Sequence, residues 1–114
     1  MTEIFAQGDL LIERVADVTP SGTIAENVEG AALVLLEGEL TGHNHAVQER
    51  VTLFRDDRLA RDIPAGIYIG HVQVGTAHAR VTHEEHAALT LPRGTYRVRR
   101  HRELGPRDAR ILAD

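Results

Sequence analysis

The chain has 114 residues, of which 42% are hydrophobic and 26% charged, a net charge of −4 and no cysteine. That length fits one domain, residues 1–114, around one modest core, and the missing thiols exclude disulfides and thiolate metal sites, so any metal must rest on imidazole or oxygen. No apolar run approaches the roughly 20 residues of a membrane span, and the acidic start MTEIFAQGDL lacks the pattern of a secretory signal.

The expectation is a soluble cytoplasmic protein with no membrane partner. Charge is unevenly spread. Residues 1–42 carry eight acids and one Arg, whereas residues 93–114 carry seven Arg and three acids, and the chain has no Lys.

Gly8 and Asp9 precede LLIERVADV, which predicts a strand ending before the turn signal TPSG at 19–22. TIAENVEG reads as a loop with room for a short strand. The apolar run AALVLLEGEL predicts a strand buried on both faces. VTLFR predicts a further strand, and DDRLARDIP one helical turn stopped by Pro64. GIYIGHVQV reads as a strand punctuated by Gly75. From 77 to 91 the residues alternate, with Ala79, Val81, His83 and Glu85 on one parity, so an unbroken strand turns His83 and Glu85 to the apolar side. LPRGT predicts a tight turn through Pro92 and Gly94. TYRVRRHRE then predicts a strand with Tyr96 and Val98 inward and Arg97, Arg99 and His101 outward. About six short strands with little helix define an all-β fold, a small barrel or sandwich.

Two clusters carry the chemistry. In TGHNHAVQER, His43 and His45 share one strand face and lie about 6–7 Å apart at a rise of roughly 3.3 Å per residue, with Glu49 close behind. In THEEHAALTLPRG, His83, Glu84, Glu85 and His86 follow one another. One strand rarely encloses an ion, so the second cluster is the expected source of further ligands. A bulge or turn within it lets both His83 and His86 converge on His43 and His45. In a regular strand His83 and His86 face opposite sides. The expected metal site is therefore His43, His45 and one of His83 or His86, with Glu49 or a neighbouring Glu as fourth ligand or as the group that orients one. Imidazole and carboxylate suit Zn first, with Fe, Mn, Ni and Cu also compatible. An open coordination position makes such an ion a Lewis acid, and Glu84 or Glu85 is then placed as general base, favouring hydrolysis of a small or phosphorylated ligand. HEEH is no zincin motif, which needs histidines four apart on a helix. His71 and His78 read as structural or exposed, and His101 as exposed.

Gly38, His43, His45 and Glu49 stand in an order that resembles the first cupin motif. One gap is a residue short, and Asp56 stands where the closing glycine belongs. The second motif is partial, with Pro92 and Gly94 present and Arg97 at the histidine position. The resemblance implies a β-barrel with an interior metal, and His83 or His86 in place of the missing ligand. The longer string from TGHNH through HEEHAALTLPRGTYRVRRHRE resembles a group of short bacterial proteins to which no activity is assigned.

Arg97, Arg99, Arg100 and Arg102 form a stripe suited to phosphate or carboxylate. Pairing with the acidic first 42 residues is the favoured reading, with an RNA or protein interface as its competitor; the negative net charge and scarce aromatics weigh against RNA. A non-catalytic interaction module and a structural subunit of a homo-oligomer, joined through open strand edges, are the alternatives to a metal-dependent enzyme.

Overall fold

A computed structural model describes residues 3–28, 30–37 and 43–101. The fold is all-β. Eight strands are present: β1 (Ile4–Gln7), β2 (Leu10–Val15), β3 (Thr23–Glu26), β4 (Leu33–Glu37), β5 (Asn44–Val47), β6 (Thr52–Arg55), β7 (Tyr68–Thr82) and β8 (Leu89–Arg100). Two short 3₁₀ turns, Asp57–Ala60 and Ala65–Ile67, fill the β6–β7 connection. The first is capped by Asp56, whose carboxylate accepts from the Arg58 amide, as the helical turn expected in DDRLARDIP requires.

All pairings are antiparallel, and the strand order is β1-β2-β8-β7-β5-β4, with β6 joining β7 to β3. The long β7–β8 hairpin is the spine. Its first half takes β6 along one edge, pairing Thr52 with Gln73 and Phe54 with His71. Its closed half takes β5 along that same edge, pairing Ala46 with Thr82 and Val47 with Val81. A register shift between Val74 and His78 marks the change, so the two halves turn relative to one another around a bulge. Their inner faces enclose one core: Leu10, Ile12, Val72, Val74, Tyr96 and Val98 from one half meet Leu35, Val47, Ala79, Val81 and Leu91 from the other.

The spine corrects two sequence expectations. Residues 92–95 form no turn, because β8 runs unbroken from Leu89 to Arg100. Pro92 is tolerated there because β2 reaches along β8 only as far as Thr95, leaving the preceding part of β8 with a single neighbour. Gly94 serves close approach instead: it has φ +154, and a Cβ would come within 2.9 Å of the Arg14 guanidinium. The other correction falls on 77–91. β7 ends at Thr82 and the chain bends through 83–88 before β8, so HEEH occupies the tip of a hairpin. Alternation survives on either side of it, with Ala79, Val81 and Leu91 buried.

β4 also departs from expectation. It pairs with β5 alone, and of its residues Leu35 is buried while Val34 is 43% exposed, so the apolar run is an edge strand with one inward face. Gly38 and Arg102 lie outside the described residues, as do Ile111 and Leu112, the apolar pair near the end of the sequence. Among the described residues no helix is long and apolar enough to cross a membrane.

Asn27 ties the β3–β4 loop to the β5–β6 connection. Its amide donates to the carbonyls of Glu49 at 3.0 Å and Val47 at 3.4 Å, while its oxygen accepts from the Val51 amide at 2.9 Å. Asn27→Ala leaves these buried groups unpaired and is expected to cost roughly 2 kcal/mol or more. A lowered urea midpoint at unchanged m-value checks this; a shift equivalent to under about 0.5 kcal/mol rejects it.

Candidate functional site

Three distant segments meet at the closed end of the spine: the β1–β2 turn at Gln7–Asp9, the start of β5 at His43–His45, and the hairpin tip at His83–Ala87. Antiparallel pairing of β5 with the end of β7 brings His45 under the tip. The rings form an unbroken chain. The His83 ring lies 4.4 Å from His45, 4.7 Å from His86 and 5.8 Å from His43, centroid to centroid. The structure thus brings both His83 and His86 to His43 and His45, where one of the two was expected. An ion held by imidazoles in tetrahedral geometry at about 2.0–2.1 Å sets ring centroids about 5 Å apart, so these spacings bracket that value.

His45 is the buried centre, 1% exposed. Its Nδ1 lies 2.8 Å from Gln7 Oε1 and its Nε2 3.0 Å from Asp9 Oδ1. Gln7, itself buried, donates from Nε2 to the carbonyls of Val81 and Ala87 at 3.0 and 2.8 Å, so one side chain holds both the tip and the His45 ring. Burial pushes the His45 pKa down, outweighing the Asp9 hydrogen bond, and His83 and His86 add to the fall. Gly8 makes the close approach possible. It has φ +57, and a Cβ there would come within 2.7 Å of His86 Nε2 and 3.5 Å of His45 Cε1.

The rim is looser. His83 Nδ1 accepts from the Glu85 amide at 3.0 Å, which places the proton of its neutral ring on Nε2. His43 Nδ1 lies 3.4 Å from Glu85 Oε1. Glu84 accepts from the Asn44 amide at 2.9 Å. Its own amide and that of Asn44 favour its ionised form and hold its pKa down. Among the described residues no group of three or more His, Asp or Glu side chains is arranged to hold a metal ion. The rings converge without gathering their nitrogens.

Glu49 is engaged elsewhere. Its carboxylate accepts from the Arg80 amide at 2.6 Å, which lowers its pKa, and the Arg80 guanidinium stands 3.4 Å away. The carboxylates that meet the histidines are Asp9 and Glu85. Asp9 was not visible as a site residue in the sequence. The one signal that marked it was its place beside Gly8 in a two-residue turn between apolar strands.

Of the arginines, Arg97 donates to Glu13 at 2.7 Å and to Asp62 at 2.6 Å, with its side chain and that of Glu13 each 13% exposed. Arg99 stands 3.7 Å from Glu13 and Arg100 3.8 Å from Asp9. The stripe faces acids of the first 42 residues and of the 3₁₀ segment.

His71 is buried on the opposite side of β7. It stacks on Phe54 at 5.3 Å, and its Nδ1 accepts from the Tyr68 hydroxyl at 2.7 Å. Burial first, and Arg97 second, push its pKa below the ordinary imidazole value. His78 is exposed on the far side of the bulge.

Residues 6–101 match the family described as domain of unknown function DUF8820, and the chain belongs to that family. No curated protein and no solved structure matches it.

A histidine whose pKa falls on folding makes the unfolded chain bind more protons below its unfolded value. Stability is then full above about pH 6.5 and is lost as pH drops below it toward the folded value. Urea unfolding of metal-free protein between pH 7.5 and about pH 5 is expected to show that loss. His71→Asn is expected to give a shallower slope, since one of two such histidines is gone; an unchanged slope contradicts the assignment.

Proposed function

We propose that the protein binds one divalent transition metal at the hairpin tip, through His45, His83 and His86, with His43 at the mouth. One observation carries this reading: four imidazoles from two separate segments lie in continuous ring contact around a fully buried member. Burial lowers the His45 pKa and so favours its neutral form, the form in which histidine ligates metal. Loading turns these side chains inward. His83 releases the Glu85 amide as it does so, which the short tip between β7 and β8 permits without disturbing the sheet.

Nitrogen and oxygen donors without thiolate suit Zn first, and Fe, Mn, Ni or Cu in other conditions. Bound there with an open position, the ion supplies Lewis acidity and an activated water. The two glutamates divide their roles on geometry. Glu84 is held by backbone amides that favour its charged form and weaken it as a base. Glu85, 58% exposed and beside His43, is the carboxylate free to take a proton at the mouth. A small or phosphorylated ligand is the proposed substrate class, and hydrolysis the proposed reaction.

Tag-free protein dialysed against chelator and titrated with Zn²⁺ or Co²⁺ is expected to bind one equivalent. His45→Ala and the double variant His83→Ala/His86→Ala are expected to weaken binding at least roughly tenfold, while His78→Ala leaves it unchanged. Wild-type protein that takes up no more metal than the double variant overturns the reading.

A further inference from the structure

The amide of Gln7 can be oriented without ambiguity. Its Nε2 lies within hydrogen-bond distance of two carbonyl oxygens, those of Val81 and Ala87. Exchanging Nε2 and Oε1 would set an oxygen against both carbonyls, so the observed orientation is forced. Oε1 therefore accepts, and the Nδ1 of His45, 2.8 Å away, must be the donor. A neutral imidazole carries one proton. With that proton on Nδ1, Nε2 is a bare acceptor, yet what stands 3.0 Å from it is Asp9 Oδ1, a second acceptor. Two lone pairs held at that distance favour a cation between them; the Arg100 guanidinium stands 3.8 Å from the other Asp9 oxygen, Oδ2, and does not bridge the pair.

We infer that Asp9 is an oxygen ligand of the metal and that Gln7 is a positioning residue, fixing the His45 tautomer so that Nε2 is presented to the ion that Asp9 shares. The inference rests on the metal reading above and extends it to a third segment, the β1–β2 turn. A proton is the competing cation, and it would satisfy this one pair. An ion would satisfy the pair and, once the tip side chains turn inward, take in the imidazoles of His83 and His86, which lie in ring contact with each other and, through His83, with His45. Gln7 does more than select a tautomer. By donating to Val81 and Ala87 it holds the hairpin tip against the turn, so His45, Asp9 and the tip histidines are fixed to one another. Buried hydrogen bonds to the far nitrogen of a ligating histidine characteristically have this orienting role.

Asp9→Asn is the decisive substitution. It is close in shape, and its amide can donate to His45 Nε2, replacing the acceptor pair with a hydrogen bond. In metal-free protein the urea midpoint of Asp9→Asn is expected to equal or exceed that of wild type, while Zn²⁺ affinity falls at least roughly tenfold. A lower midpoint with Zn²⁺ affinity unchanged overturns the role of Asp9. For Gln7 the readout is spectroscopic. Long-range ¹H–¹⁵N correlation of metal-free protein near pH 8 is expected to show His45 protonated on Nδ1 and bare on Nε2. Gln7→Met is expected to lose that signature and bind Zn²⁺ about 10–100-fold more weakly. Both nitrogens protonated in wild type would make the cation a proton and overturn the inference, as would a proton on Nε2 alone. If wild type binds no Zn²⁺ yet shows the expected tautomer, the metal reading fails while the assignment to Gln7 stands.

Discussion

A buried imidazole must have both ring nitrogens accounted for, and in this chain that requirement ties the fold together where its ends meet. His45 lies on the short strand β5, its first partner Gln7 ends β1, and its second partner Asp9 ends the turn into β2. Gln7 in turn reaches Val81 at the end of β7 and Ala87 before β8. Strands β1, β5 and β7 and the segments leading into β2 and β8 are thus held by one polar contact network around one side chain. A buried polar group left unpaired costs on the order of 1–3 kcal/mol, so a displaced register in any of these strands is penalised here as well as in the apolar core.

That network sits where the backbone leaves room for it. The β7–β8 hairpin gives its first half to β6 and its closed half to β5, and the bulge between Val74 and His78 separates the two. β2 pairs with β8 only from Thr95 onward. The turn between β1 and β2 then carries Gln7, Gly8 and Asp9 to the hairpin tip, and Gly8 lets the backbone pass against His86. A larger residue there would force the turn away from the imidazoles. The same architecture places the arginines of β8 opposite the acids of β2, so Glu13 meets Arg97 and Arg99 across one strand pair. The lopsided charge of the sequence is in this respect a folded-state pairing pattern.

Local signals made much of this legible. Alternation marked Tyr96 and Val98 as inward and the intervening arginines as outward, and the core follows it. The all-β class followed from many short apolar segments with turn residues between them. That HEEH would meet His43 and His45 was legible too, through one of its histidines in a regular strand or both at a bulge or turn, and the bend at 83–88 brings both. Tertiary context decided the rest. Pro92 and Gly94 carry strong turn chemistry, but a bulge opposite them and a missing neighbour on β8 let the strand continue. AALVLLEGEL is apolar enough for a buried strand, yet its place at the end of the sheet exposes one side. Asp9 and Gln7 have no spacing relation to the histidines, and only the closure of the sheet brings them there.

Two buried histidines separate structure from site within this one molecule. His71 and His45 are each nearly inaccessible, and burial lowers the pKa of both. Around His71 the bonding is complementary: the Asp56 amide donates to the Tyr68 hydroxyl, that hydroxyl donates to Nδ1, and Phe54 covers the ring face. Nδ1 thus faces a donor, where His45 Nε2 faces a carboxylate. Around His45 the donors run out. Gln7 uses both its amide hydrogens on the hairpin tip, the Nδ1 proton goes to Gln7, and Nε2 is left facing a carboxylate with further imidazoles alongside. Burial and hydrogen bonding alone do not distinguish the two residues, since both have them. Counting donors and acceptors does: His45 Nε2 and the partly exposed Asp9 carboxylate are both acceptors, and the proposed cation site rests on that imbalance.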